Sequence, residues 1–246
     1  MREDIIIGKN PVEEALTSGR SVNKVLLAEK LNPHVQRKFI RMSKEAGTIV
    51  QKVPKKKLDQ LAGHHQGVIA YVAPYRYRTL DDLLKRAEEK QEAPFFVILD
   101  ELEDPHNLGS VLRTADAVGA HGVIIPKRRS VSLTATVSKT AAGALEHVPV
   151  ARVTNISQTI DRLKKAHVWV IGSDLDGDED YRSLEGTLPL AIVIGNEGKG
   201  ISRRVKEKCD WIVTIPMHGS VSSLNASVSC SLLLYEVYRK RHPLGE

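Results

Sequence analysis

The feature that most restricts this chain is a series of short apolar runs, each closed by polar residues, through its last two thirds. The runs at 95–100, 122–125, 148–153, 167–173, 189–194 and 211–215 lack the in–out alternation of a half-exposed strand. Strands of that kind are buried on both faces, and most of these are separated by stretches of helix length. The pattern predicts an α/β domain built on a largely parallel sheet. Open sheets of this class bind ligands beyond the carboxyl ends of their strands, so chemistry is expected in the loops that follow these runs.

The first third repeats the alternation on a smaller scale. Asn10 can cap a helix opening at Pro11, with Glu13 three residues after the cap. "KVLLAEK", "TIVQKV" and "GVIAYVA" read as strands, residues 33–46 as a basic helix closed by Gly47, and "PKKKLDQLAG" as a short basic helix. Residues 1–75 thus form a small α/β unit. The charged amphipathic stretch "LDDLLKRAEEKQEAP" reads as a linker over 76–92, and 93–246 as the second domain.

Charge divides along the same line. Residues 1–78 hold 15 Lys and Arg against 7 Asp and Glu, whereas 79–246 hold 21 against 23. Arg37, Lys38, Arg41 and Lys44 share one predicted helix, and Lys55, Lys56 and Lys57 open the next. A basic module of this kind suits phosphate, with Arg37, Lys38, Arg41 and Lys55–Lys57 as the candidate phosphate contacts. A solvated basic face without a ligand is the plainer alternative.

Several classes are disfavoured. No apolar run nears the roughly 18–20 residues that cross a bilayer, and "MREDIIIGKNP" has no signal-peptide body, so a cytoplasmic chain without a membrane partner is expected. Cys209 and Cys230 have no metal-type spacing, and no metal site is expected. No G-x-G-x-x-G follows the first strand of either unit. In "GNEGKGIS", Ile201 stands where a phosphate loop requires Lys. In the last helix, Val228, Leu232 and Tyr235 form one apolar stripe and Cys230, Leu233 and Val237 another, so burial from two directions is expected.

Three strand-end segments carry dense polar chemistry: "LDELEDPHNLGSVLRTADAVGAHGV", "IVIGNEGKGIS" and "IPMHGSVSSLNASVS". Singly, their residues have ordinary readings. Asn107 and Asn225 can be helix N-caps, Arg113 can pair with Asp116, and Glu197 can be an exposed turn acid. Together the segments resemble the three signature motifs of the SpoU/TrmH family of SPOUT-class RNA ribose 2′-O-methyltransferases. The resemblance rests on Asn107, Gly109 and Arg113, then Gly195, Glu197, Gly198 and Gly200, then Ile215, Pro216, Ser223, Leu224 and Asn225. Asn196 and Ala142 stand where many relatives carry Ser.

The resemblance implies S-adenosylmethionine (AdoMet) as cofactor, held by Gly195, Glu197, Gly198, Ile215, Met217 and Leu224. It implies Asn107, Arg113, Glu197, Ser223 and Asn225 as catalytic residues. It further implies a SPOUT domain with a deep trefoil knot, a homodimer joined through that domain, and a small ribosomal-protein-like RNA-binding domain in residues 1–75. Members with this layout methylate a guanosine of 23S rRNA, and tRNA enzymes of the family are near alternatives. A binding-only RNA module and a small-molecule methyltransferase are more distant ones. The family's usual proposal makes the arginine matching Arg113 the base. A clamp on the neighbouring phosphate is the physically easier role, since guanidinium hardly deprotonates.

Overall fold

The computed structural model describes residues 5–17, 20–73, 75–220 and 223–245. It divides into two compact units: the residues up to Arg76 with Ser132–Ser138, and Tyr77–Val131 with the chain from Lys139 onward.

The first unit contains β1 (Ile5–Ile7), α1 (Lys9–Thr17), β2 (Val22–Ala28), α2 (Pro33–Glu45), β3 (Ile49–Val53), α3 (Lys55–Leu61) and β4 (Val68–Val72). Its sheet runs β1-β4-β2-β3, with β2 and β3 parallel and the other pairs antiparallel. Alternation along β2 serves two cores. Val25 and Leu27 pack with Val12 and Phe39 of the α1/α2 layer, and Leu26 and Ala28 pack with Leu58 of α3. Asn10 is not the cap, because α1 begins at Lys9, whose N–H is met by Gln66 Oε1 at 3.3 Å. A residue 57 positions away thus supplies the acceptor that sequence alone assigns to a neighbour.

The second unit holds α4 (Leu80–Lys90), β5 (Phe95–Leu99), α5 (Pro105–Ala117), β6 (Gly122–Pro126), β7 (Val150–Val153), α7 (Ile156–Lys165), β8 (Trp169–Ser173), β9 (Glu179–Asp180), β10 (Leu190–Ile194), α8 (Arg203–Lys206), β11 (Trp211–Thr214) and α9 (Ala226–Arg241). Between β6 and β7 lies α6 (Ala135–Ala141), whose residues are shared between the two units. The sheet order is β7-β6-β5-β10-β8-β11-β9, and every pair is parallel. All five residues of β5 and of β10 are buried, as their unbroken apolar runs require. The two-residue β9 and the three-residue β1 escape sequence reading because so short a segment shows no period.

One sheet face is covered by α4, α7 and α8. Leu80, Leu83, Ile156, Ile160, Leu163 and Val205 pack there on Phe96, Ile98, Val170, Ala191 and Val193. The stretch expected as a linker is therefore part of this core. Thr79 and Asp82 close a capping box at the start of α4, and its Leu positions point at the sheet. Helices α5 and α9 pack against each other, joined by Thr114 Oγ1 and Ser231 Oγ at 2.9 Å, and α9 also packs on β10. The last turn of α9 is pinned by Arg241, which donates to the carbonyls of Ala93, Pro94, Gly186 and Leu188. Among the described residues, no helix is long and apolar enough to cross a membrane.

His121 supplies a pH-dependent element. Its ring is fully buried, Nδ1 accepts the Phe95 N–H at 3.1 Å, and Nε2 lies 3.0 Å from Glu92 Oε2. An accepting Nδ1 fixes the neutral tautomer with its proton on Nε2. Burial, outweighing the attraction of Glu92, lowers its pKa below the ordinary value of 6.5. The unfolded chain then binds the proton first, so stability falls as pH drops below about 6.5 towards the folded-state value. The urea midpoint should decrease between pH 7.5 and pH 5.5, and His121→Gln should flatten that decrease. An unchanged slope in the variant would exclude His121 as its source.

Candidate active site

The site lies where four parallel strands end. In register, Leu99 of β5 pairs with Ile194 of β10, and Ile194 pairs with Ser173 of β8, so their following loops emerge side by side. The loop after β11, the next strand, joins them.

Helix α5 opens with Asp104 as cap, its Oδ1 accepting the His106 N–H at 2.8 Å, and with Pro105 in its first turn. This arrangement excludes the ordinary reading of Asn107. One turn is already capped, so the buried Asn107 side chain is free, and its Nδ2 donates to Glu197 Oε1 at 2.8 Å. Asn225 does cap α9, accepting the N–H groups of Ser227 at 3.0 Å and Val228 at 3.3 Å through Oδ1. Its Nδ2 donates to Asn107 Oδ1 at 3.0 Å and to Glu197 Oε1 at 2.5 Å. Ala226 N–H adds a further bond to the same oxygen at 3.3 Å. One carboxylate oxygen of the second motif segment therefore gathers donors from the other two.

The β10 loop is held at both ends. Asn196 and Gly200 exchange two backbone hydrogen bonds of 2.9 and 2.8 Å, and Asn196 Oδ1 accepts the Gly198 N–H. Asn196 Nδ2 donates to the Glu101 carbonyl, and the buried Asp100 accepts the Ser202 N–H at 2.8 Å. The loop doubles back so closely that a Cβ on Gly195 would lie 2.2 Å from Gly200 C and 2.3 Å from Ile201 N. On α5, a Cβ on Gly109 would lie 2.4 Å from the Thr140 Cβ, so this glycine allows close packing there. An added Cβ on Gly198 would make only an ordinary contact, 3.7 Å from Asn196 Oδ1, and Gly200, at φ +66°, adopts the left-handed conformation that glycine favours.

These loops enclose a cleft of roughly 480 Å³. Gly195, Glu197, Gly198, Ile215, Met217 and Leu224 all line it, and so does Ser223. Sequence reasoning missed the wall formed by Ser173, Asp174 and Leu175. A polar Ser–Asp pair directly after a buried strand was its only signal. Lys206 lies 3.2 Å from Asp174 and also pairs with Asp176, whose carboxyl its hydrogen bond holds below the usual range.

Other expectations fare differently. Arg113 is exposed and forms no hydrogen bond or ion pair with any described residue, so it joins neither Asp116 nor the Asn107–Glu197–Asn225 cluster. In the first unit, Arg37, Lys55, Lys56 and Lys57 are exposed without ion pairs among described residues, whereas Lys38 pairs with Glu13 at 2.6 Å and Arg41 approaches Glu45 at 3.9 Å. Burial pushes both thiols, Cys209 and Cys230, up to about 12, which removes them as nucleophiles. Among the described residues, no group of three or more metal-ligating side chains comes together.

A cleft of this size suits a cofactor-sized ligand. Its Ile215, Met217 and Leu224 surfaces suit an aromatic base, its loop backbone offers polar groups, and Asp174 and Glu197 add negative charge. Those features fit AdoMet, which joins an adenine ring to a cationic sulfonium. A carboxylate-centred network drawn from three loops stands at its edge.

Residues 94–235 match the SpoU rRNA methylase family, and residues 5–78 match the RNA 2′-O ribose methyltransferase substrate-binding domain. The chain belongs to the SpoU rRNA methylase family, which uses AdoMet and modifies tRNA or rRNA. It is 57% identical over 246 residues to YacO of Bacillus subtilis (strain 168), named for the TrmH family of tRNA/rRNA methyltransferases, covering 100% of this chain and 99% of that protein. Among solved structures it resembles the SpoU methyltransferase AviRb from Streptomyces viridochromogenes in complex with AdoMet, with TM-score 0.63 and 29% identity, covering 98% of this chain and 91% of that one. An AdoMet-bound rRNA methyltransferase from Sinorhizobium meliloti matches with TM-score 0.61 and 27% identity, over 99% and 89%.

Proposed function

We propose that this protein methylates a ribose 2′-hydroxyl in structured RNA, and that its target is a guanosine of 23S rRNA in the cytoplasm. The observation that carries the reading is the convergence of Asn107, Asn225 and the Ala226 N–H on Glu197 at the rim of the cleft. A tRNA ribose is the second reading, favoured by the tRNA/rRNA naming of the relatives. Mapping 2′-O-methyl groups in rRNA and tRNA from a deletion strain tests both. Loss of a single rRNA site supports the first, loss of a tRNA site the second, and loss of neither overturns the reading.

Bound AdoMet would supply a methyl group on a sulfonium, which departs as a thioether, and alignment provides much of the rate. Asn107 and Asn225 are held by each other and by Glu197, so the three form a fixed polar edge for orienting a ribose. Ser223 lines the same cleft and is assigned with them. The hydroxyl proton leaves to solvent as the oxygen takes the methyl. Arg113 serves as a clamp on the adjacent phosphate, consistent with a guanidinium that stays charged.

Arg113 takes no part in that cluster's hydrogen bonds, which supports a site completed by a second copy. Helix α9 supplies a surface for it. Cys230, Leu233, Leu234 and Val237 are buried within the unit, while Val228, Leu232, Tyr235 and Tyr238 remain exposed. We assign that exposed face to a homodimer. Mixing inactive Arg113→Ala and Asn225→Ala proteins should then restore activity in hybrid dimers, each carrying one intact site. No recovery in demonstrated hybrids would mean that Arg113 serves its own chain. The order β5-β10-β8-β11, which returns the chain between earlier strands, supports the trefoil knot expected of this family.

For the RNA grip we assign the first unit. Replacing Lys55, Lys56 and Lys57 with Gln should weaken RNA binding and flatten its salt dependence, by up to about one slope unit per lost phosphate contact. AdoMet affinity should not change. An unaltered salt slope would make these lysines a solvated face only.

A further inference from the structure

Both tryptophans of the chain stand together, outside the cleft. Trp169 opens β8 and Trp211 opens β11, the neighbouring strand, so they sit at the opposite strand ends from the motif loops. Their rings are 4.9 Å apart between centroids and tilted by 39°, and the residues remain 43% and 38% exposed. They wall a cavity of roughly 200 Å³ whose floor includes Ile171, Leu190 and Val213. Paired aromatic surface of this kind, left open to solvent beside a cavity, is typical of an anchor site for a partner.

The polar part of the cavity has one sign. Its lining contains Glu179 and Glu185 and no basic residue. Residues 174–186 carry six carboxylates and a single cation. Three of the other four are paired: Lys206 serves Asp174 and Asp176, and Arg182 makes a two-point pair with Asp180. Glu179 and Glu185 form no ion pair with described residues. They are held instead by neutral donors, Glu179 by Ser183 Oγ at 3.1 Å and Glu185 by Thr187 Oγ1 at 2.7 Å. Two oriented carboxylates without an ion pair among the described residues, Glu185 feeling only the field of Lys240, stand beside indole faces and are complementary to a flat cation. A guanidinium can lie on the ring and give its fork to a carboxylate. The same charge repels a phosphate backbone, so this end of the sheet is unsuited to RNA.

We propose that this cavity receives an arginine side chain from a basic segment of a protein partner. The inference does not rest on the methyl-transfer reading. Because the chain has no other tryptophan, its intrinsic indole emission reports on this cavity alone. The full-length protein is titrated with a capped Gly-Arg-Gly-Arg-Gly peptide, with the same peptide carrying citrulline for arginine, and with GMP. The arginine peptide should give a saturable change in emission, weakened by salt, and the uncharged citrulline peptide should bind at least tenfold more weakly. Glu179→Gln with Glu185→Gln should cost a similar factor while leaving the melting temperature near that of the parent, since glutamine can keep the Ser183 and Thr187 bonds. Equal responses to both peptides, no saturation at millimolar peptide, or undiminished binding in the folded double variant would overturn the proposal. A saturable response to GMP in place of the arginine peptide would assign the cavity to a nucleotide.

Discussion

Gly195→Ala should abolish measurable AdoMet binding, whereas Gly198→Ala, three residues on, should keep it within a few-fold. The family resemblance places Gly195 only among the residues that hold the cofactor. The structure gives it a constraint within the chain itself: an added Cβ would lie 2.2–2.4 Å from Gly200 C, Gly200 O and Ile201 N. Those are backbone atoms of a loop tied down by Asn196, Asp100 and its own paired hydrogen bonds, so they cannot yield as a flexible side-chain tip would. Overpacking against a fixed neighbour costs about 1–3 kcal/mol or more, and here relief requires breaking the loop that walls the cleft. At Gly198 the only near neighbour is Asn196 Oδ1, at 3.7 Å. Calorimetric titration of the two folded variants makes the comparison. Wild-type affinity in Gly195→Ala would show that the loop relaxes freely.

Glu197→Ala should lower kcat by about 100-fold, the scale on which small misplacements of reacting groups act. Removing this carboxylate leaves Asn107 Nδ2, on a buried residue, and Asn225 Nδ2 without their shared acceptor. An unsatisfied buried donor costs about 1–3 kcal/mol, which the loops would recover by moving. Glu197→Gln keeps one oxygen able to accept and should retain more activity than alanine. Single-turnover methylation with the cofactor saturating separates this effect from weaker cofactor binding, since Glu197 also lines the cleft. Equal activity of the alanine variant and the parent would remove Glu197 from the machinery.

Much of this was legible in the chain because burial on both faces leaves a plain mark. The runs at β5 and β10 are apolar at every position, and they form the centre of the sheet. What was hidden depends on contacts distant in sequence. Gln66 meeting the Lys9 N–H, and Asp104 taking the capping role that left Asn107 free, both follow from competition between acceptors. The wall at Ser173–Leu175 could not be read, because it requires knowing that β8 lies beside β10 rather than beside its sequence neighbour β7. Met217, Leu224 and the glycines of the β10 loop were assigned through motif resemblance, and geometry gives Gly195 a reason within the chain for being glycine. Arg113 was assigned by the same resemblance, and among the described residues it has no hydrogen-bond or ion-pair partner.

The shared carboxylate has a consequence for the order in which ligands meet the protein. Glu197 borders the cofactor cleft and is also the acceptor for the side chains assigned to the ribose. A ligand on either side that fixes this residue spares the other the entropy of doing so. Thermodynamic reciprocity then demands equal factors: however much AdoMet tightens RNA, RNA tightens AdoMet by the same ratio.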